Sequence, residues 1–228
     1  MWSALRFMLT INSAAFVLAC YWWGAISPAY LVTRWRKGID LRRYGSGNVG
    51  SSNVGEQLGR AWTIAVGLLD WLKGIVPIAL ARVWGFDAGA VVLAGLATVI
   101  GHAWSPYLNF KGGRGMATTV GLLFALDARL ALVLLFCIAI GWAVRYSAVG
   151  AFGGLMLLAP AAWWFQDARG VVIGMALLAL IIAIKRLEAN RLPLPSDPRE
   201  KRAVLWRRLW MDRDVPRGQA WQERGKIQ

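Results

Sequence analysis

Uncharged apolar blocks alternate along this chain with short clusters of glycine, proline and charge. Phe7–Ile26 and Ser147–Phe165 carry no charge, and each has about the length of helix that crosses a ~30 Å hydrocarbon layer. Ala88–Trp104, Leu130–Val144 and Gly170–Ile184 are uncharged but shorter. Ala61–Ala81 is apolar apart from Asp70 and Lys73 and contains Pro77, a candidate kink; Met116–Leu126 is the weakest block. Polar clusters separate them: Thr33–Arg60, Trp84–Asp87, Ser105–Gly115, Asp127–Arg129, Gln166–Arg169 and the tail from Lys185. The pattern predicts an all-α polytopic membrane protein. The first block lacks a charged leading region and a clear small-x-small exit, so it is expected to remain as a span.

The number of spans turns on Met116–Val144. Read as one helix it gives six and puts Asp127 and Arg129 near mid-bilayer; a break there gives seven. Charge decides between them, because cytoplasmic segments collect Lys and Arg. With seven spans and the N-terminus outside, 21 of the 26 cations fall on one face, four on the other, and Lys73 within a span. The expected architecture is therefore seven short transmembrane helices in residues 1–192, N-terminus outside and C-terminus cytoplasmic. A basic amphipathic cytoplasmic tail, residues 193–228, follows. Within it, Arg199–Asp214 interleaves Val204, Leu205, Trp206, Leu209 and Trp210 with Arg202, Arg207, Arg208 and Arg213 and reads as a helix on anionic lipid.

Composition narrows the chemistry. The 228 residues are 57% apolar and 17% charged, which excludes a disordered chain, and the formal net charge of +14 asks for an anionic partner. Nucleic acid is excluded, since the basic segments are tied to span ends and lack an aromatic reading platform. Cys20 and Cys137 lie in apolar runs and read as small core residues. A single histidine, His102, leaves no room for a His-rich metal site.

Three segments on the basic face are candidates to hold an anion. Gly45-Ser46-Gly47-Asn48-Val49-Gly50-Ser51-Ser52-Asn53 matches a G-x-G-x-x-G string without the strand and βαβ context of a dinucleotide site. Its glycines can turn backbone N–H groups toward one point, with Ser and Asn adding donors; a flexible polar loop is the alternative. Asn109-Phe110-Lys111-Gly112-Gly113-Arg114-Gly115 precedes a helix expected from Met116, so free N–H groups, a helix dipole and two cations converge. A plain positive-inside anchor would not need its three glycines. The third segment, Lys185–Arg191, reads on its own as a cationic helix end at the membrane surface. Asp70 and Lys73, spaced i, i+3, read as an internal ion pair. His102, beside the second segment, is either a hydrogen-bonded structural residue or a base.

Together, the first segment, Gly101-His102 and Phe110-Lys111-Gly112-Gly113-Arg114-Gly115-Met116-Ala117-Thr118 resemble the bacterial acyl-phosphate:glycerol-3-phosphate acyltransferases, the PlsY family. Gly38-Ile39-Asp40, Asp70 with Lys73-Gly74, and Arg145-Tyr146 are lesser matches, and the likeness runs from about Ser27 to Arg191. The resemblance implies seven short helices and acyl transfer from acyl phosphate to the 1-hydroxyl of glycerol 3-phosphate. It implies no cofactor, metal, CoA or carrier protein. By the same resemblance Ser46, His102, Lys185 and Glu188 are the catalytic candidates. Gly45, Gly47, Asn48, Asn53, Lys111, Gly112, Gly113, Arg114, Gly115 and Arg145 are the phosphate-binding ones. The Asp-containing His-x4-Asp dyad of other glycerolipid acyltransferases is absent, since Tyr107 stands in its place. This chain departs from the family pattern at Glu56, where a basic residue is usual, and at Ala148 in Arg145-Tyr146-Ser147-Ala148. It departs again at Lys185 and Glu188, which replace a His and an Asn. A relative that binds a phosphorylated ligand without catalysis, or transports one, is the alternative expectation.

Overall fold

The computed structural model describes residues 2–214. Ten α-helices account for most of them: α1 (Trp2–Ala25), α2 (Pro28–Lys37), α3 (Ser51–Leu58), α4 (Arg60–Val83), α5 (Ala88–Ala103), α6 (Met116–Leu126), α7 (Ala128–Ala143), α8 (Ser147–Trp164), α9 (Arg169–Glu188) and α10 (Pro198–Met211). No strand occurs among the described residues.

Local chemistry sets the boundaries. Ser27 caps α2 by accepting from the Tyr30 N–H, and Gly38, at φ 70°, closes it with an amide bonded to the Arg34 carbonyl. Asp87 caps α5, accepting from the Ala90 N–H at 3.0 Å. Asp127, extended at φ −156°, ends α6 and caps α7 by accepting from the Arg129 N–H. The Met116–Val144 stretch is thus two helices with a turn, and not one continuous rod. Pro77 lies inside α4 without interrupting it.

Among the described residues five helical stretches are long and apolar enough to cross a membrane: Asn12–Lys37, Arg60–Val83, Ala88–Leu108, Ser147–Trp164 and Arg169–Glu188. Met116–Leu126 and Ala128–Ala143 are shorter apolar helices. The most buried element is α5, which packs against α1, α4 and α9, while α6, α7, α8 and α9 follow one another around the bundle. The core gathers Ile78, Leu96, Val99, Leu123, Leu134 and Leu155, among others. Close approach is built in with glycine: a Cβ on Gly121 would overlap the Trp71 carbonyl of α4, and one on Gly74 the Thr118 carbonyl of α6. Large exposed apolar side chains such as Leu68, Leu132, Phe136 and Ile173 cover the outside, as expected of a surface facing lipid.

Polar groups collect at the two ends. At one end Arg82 donates to the carbonyls of Ala125 and Leu126, and Arg129 bridges Asp127 and Asp167. At the other lie the glycine segments, the end of α9 and α10. The polar stretch Thr33–Arg60 contains the end of α2, a 3-10 turn at Leu41–Arg43 and all of α3. Helix α10 is docked and not loose: Val204 and Arg208 are buried, and Leu209 and Trp210 pack on the core. Arg208, counted in the sequence toward a lipid-facing basic stripe, is thus turned inward, whereas Arg199, Lys201 and Arg202 stay exposed. Residues 215–228 of the expected amphipathic tail lie outside the described residues.

Candidate active site

The glycine segments acquire their shape from backbone economy. In the second, the Gly112 N–H donates to the Ala103 carbonyl and the Gly113 N–H to the His102 carbonyl, both at 3.1 Å, so these amides close the C-terminus of α5. No larger residue fits at Gly113: a Cβ there would press on His102 Nε2 and the Val49 carbonyl of the first segment. Gly115, at φ 77°, turns the chain into α6. In the first segment Gly45 and Gly47 take positive φ, and Asn48 N–H donates to Ser46 Oγ at 3.3 Å. Asn53, 2% exposed, gathers that loop by donating Nδ2 to the carbonyls of Leu41, Tyr44 and Asn48. Its role in this geometry is to shape the loop.

These segments and the end of α9 enclose a cavity of about 290 Å³. Ser46 and Gly47 come from the first segment, Lys111 and Arg114 from the second, Asn190 from the third, and Arg43 from the turn before the first. Asp40 and Arg42 also line it but are spent on each other, at 2.6 Å, and Arg42 donates further to the Leu108 carbonyl, tying the two loops together. Hydrogen bonding from Arg42 holds the Asp40 carboxyl below its ordinary pKa, against the opposing effect of partial burial. With that pair neutral, and Arg114 met by Asp212, Arg43 and Lys111 leave the cavity cationic.

Behind Gly113 lies a buried polar cluster. Lys73 Nζ is 2.9 Å from Asp70 Oδ1 and 3.0 Å from His102 Nδ1, and it donates to the Ile26 carbonyl at 2.8 Å. Asp70 Oδ1 also lies 3.4 Å from His102 Nδ1, as does Thr118 Oγ1. The Asp70–Lys73 pair expected from the i, i+3 spacing exists, and it anchors the lone histidine directly under the glycine loop.

The remaining candidates sit apart from the cavity. Lys185, fully buried, pairs with Glu188 at 3.3 Å, lies 5.0 Å over the Trp104 ring and approaches the Phe110 carbonyl at 3.5 Å. Glu188 accepts from Trp104 Nε1 at 2.6 Å. Two of the residues that depart from the family pattern are therefore each other's partner, one turn apart. Arg145 lines a separate hollow with Ser147, Met211 and Arg213. Glu56 lies beneath Gly45. Sequence reasoning left Arg43, Asn109 and Asn190 out of the site. Asn190 lies within the third candidate segment; its Nδ2 bonds the Gly112 carbonyl at 3.2 Å, joining the second segment to the third.

A helical bundle with apolar helices long enough to cross a membrane, and a cavity at one end lined by Arg43, Ser46, Gly47, Lys111 and Arg114, has the features of a membrane protein with a site suited to an anion. The sequence model of the glycerol-3-phosphate acyltransferase family matches residues 14–192, and the chain belongs to that family. It is 37% identical over 209 residues to glycerol-3-phosphate acyltransferase 4 of Dehalococcoides mccartyi (strain CBDB1), covering 89% of this chain and 90% of the relative. It is 39% identical over 177 residues to glycerol-3-phosphate acyltransferase 1 of Deinococcus radiodurans, covering 75% and 88%. Among solved structures, the crystal structure of PlsY (YgiH), an integral membrane glycerol 3-phosphate acyltransferase in its glycerol 3-phosphate form, superposes with a TM-score of 0.72. That match is 30% identical and covers 78% of this chain and 89% of the other. The lysophosphatidic acid form of the same enzyme gives a TM-score of 0.70 at 29% identity.

Proposed function

We propose that this protein transfers an acyl group from an acyl phosphate to the 1-hydroxyl of glycerol 3-phosphate, making lysophosphatidate for phospholipid synthesis. The observation that carries this reading is the convergence of Arg43, Lys111 and Arg114 on one cavity walled by all three candidate segments. The hydroxyl oxygen forms the new bond to the acyl carbon, the bond from that carbon to the phosphate oxygen breaks, and inorganic phosphate leaves with the hydroxyl proton. Acyl phosphate is already activated, so alignment and charge neutralisation can supply most of the acceleration. Lys111 acts as a point charge and Arg114 as a fork on the phosphate oxygens; Ser46, on the cavity wall, offers a hydroxyl donor. His102, held by Lys73 and Asp70, supports the loop that presents them, and Lys185 with Glu188 braces the same loop from α9.

The proposed topology is seven crossings with the N-terminus outside and the cavity and C-terminus cytoplasmic. Two features support it. Asp127 shares its end of the bundle with Arg82 and Asp167, opposite the cavity, as alternation demands; and the cation count strongly favours the cavity side. The acyl tail and the product would then remain in the lipid beside a cavity open to the aqueous donor and acceptor headgroups.

Purified protein given palmitoyl phosphate and glycerol 3-phosphate should release phosphate and form lysophosphatidate, and Lys111→Ala should reduce the rate by about 10²-fold or more. Binding of glycerol 3-phosphate without any turnover would establish a non-catalytic relative instead. Solute uptake into proteoliposomes lacking acyl phosphate would establish a transporter.

A further inference from the structure

Helix α10 lies beyond residues 14–192, the part matched to the family, yet it reaches the candidate phosphate site. Asp212, the residue that ends α10, adopts a left-handed conformation at φ 52° with its amide bonded to the Arg207 carbonyl. A short polar side chain tolerates that backbone, and the conformation sends the carboxylate back toward the bundle. There it meets Arg114: Asp212 Oδ1 lies 2.5 Å from Arg114 Nε. Arg114 Nη1 donates to the Lys185 carbonyl at 3.2 Å. Nη1 is therefore held by a hydrogen bond and Nε by its charge contact with the carboxylate.

The same helix secures the opposite wall. Arg208, 2% exposed, donates Nη1 to the Leu187 carbonyl and Nη2 to the Leu192 carbonyl, both at 3.1 Å. Asp214 closes this arginine at 2.9 Å. Leu187 and Leu192 bracket Asn190, which lines the cavity. Arg186, 1% exposed, donates to the Leu209 carbonyl of α10 at 2.9 Å and so ties α9 to the same helix.

We propose that α10 is part of the phosphate site, with Asp212 a positioning residue that orients Arg114 toward the bound phosphate of glycerol 3-phosphate. This rests on the acyltransferase reading for the identity of the ligand. A free arginine loses side-chain freedom when it clamps an anion; one already held through Nε and Nη1 has lost it before the ligand arrives. Asp212 also subtracts charge from the cavity, but Arg43 and Lys111 remain to attract the phosphate. Orientation therefore outweighs the subtraction.

The test uses full-length protein and two readouts, turnover with palmitoyl phosphate and calorimetric binding of glycerol 3-phosphate. Asp212→Ala should raise both KM and Kd for glycerol 3-phosphate about tenfold. It should leave kcat and the KM for palmitoyl phosphate within about twofold. Asp212→Asn, which keeps the side-chain shape, should fall between Asp212→Ala and wild type, and Asp212→Glu should recover part of the loss. In an Arg114→Ala background the Asp212→Ala change should add nothing further. An unchanged or lowered Kd in Asp212→Ala overturns the proposal, the lowered value identifying the carboxylate as a competitor of phosphate. An undiminished tenfold effect in the Arg114→Ala background overturns it too, by showing a general structural role. If wild type binds glycerol 3-phosphate but makes no product, the acyltransferase reading fails while Kd still decides the role of Asp212. If wild type does not bind it at all, both fall.

Discussion

Asp40 and Arg42 illustrate how a single pair can build a site without touching the ligand. The Arg42 guanidinium takes both Asp40 oxygens, stacks 5.5 Å over Tyr30 and still reaches the Leu108 carbonyl, so it clasps the first loop to the second. Because hydrogen bonding from Arg42 lowers the Asp40 pKa in the folded protein, the folded state binds fewer protons there than the unfolded one. Its stabilising contribution is therefore complete above the unfolded value of about 3.9 and is lost as pH falls through the lowered folded value. The difference in thermal midpoint between wild type and Asp40→Asn should be constant from about pH 5 to 8 and shrink below about pH 4; a difference that grew on acidification would contradict the pairing. The Asp70–Lys73 pair makes a stronger prediction, because both side chains are nearly inaccessible, at 3% and 5%. Lys73→Met or Asp70→Asn alone leaves one charge buried without its partner and should cost about 3–5 kcal/mol, whereas the double variant should cost less than the two added. Unfolding in detergent micelles would show this; strict additivity would mean that the two charges are not coupled. This pair was legible from sequence through its helical spacing. Its contact with His102 was not, because 29 residues separate Lys73 from His102 and nothing local in the chain registers α4 against α5.

At the scale of elements, packing depends on where backbone can approach backbone. Gly74 and Gly121 let α4 and α6 touch carbonyl to glycine in both directions. Gly121→Ala forces the helices apart, because the obstacle is main chain and cannot swing away; a cost of about 1–3 kcal/mol is expected. The measurable consequence is a lower thermal midpoint with the glycerol 3-phosphate KM little changed, since the α4–α6 contact lies below the cavity. A matching change at Gly153, where a Cβ meets nothing within 4 Å, should leave the midpoint unaltered. If both substitutions behaved alike, the close approach would not be the cause. All seven apolar blocks of the sequence became helices, because an uncharged run flanked by glycine and charge is a strong signal at any register. The break at Asp127 was readable for a different reason: an Asp that caps a helix and an Arg two residues later are misplaced inside a bilayer. What escaped was helix within polar sequence. α2 ends in Arg34, Arg36 and Lys37, and α3 starts inside the Ser51-Ser52-Asn53 part of a motif that looked like pure loop. Neither has an apolar stripe long enough to announce itself. The Lys185–Glu188 pair belongs at this scale too: two departures from the family pattern, each puzzling alone, become a single i, i+3 unit against Trp104.

For the whole molecule, the distribution of 26 cations has two jobs that the bundle separates. A few, namely Arg43, Lys111 and Arg114, line the cavity; in the proposed topology most of the others would serve to orient the chain in the membrane. Orientation is testable through residues at the two ends. Lys37 and Gln166 are both exposed, and a seven-crossing chain with its N-terminus outside puts Lys37 in the cytoplasm and Gln166 outside. In a background with Cys20 and Cys137 replaced by Ala, Gln166→Cys should react in intact cells with a maleimide that cannot cross the membrane. Lys37→Cys should react only after permeabilisation. Six crossings, with α6 and α7 passing as one, would move Gln166 to the cytoplasm and leave Lys37 where it is, so protection of Gln166→Cys would refute seven. The salt bridge between Arg129 and Asp167 at 2.8 Å makes the outcome depend on a contact as well as on a count of spans. Those residues can meet only if the turn at Asp127 and the turn before α9 lie at the same end, which an uninterrupted α6–α7 rod would forbid.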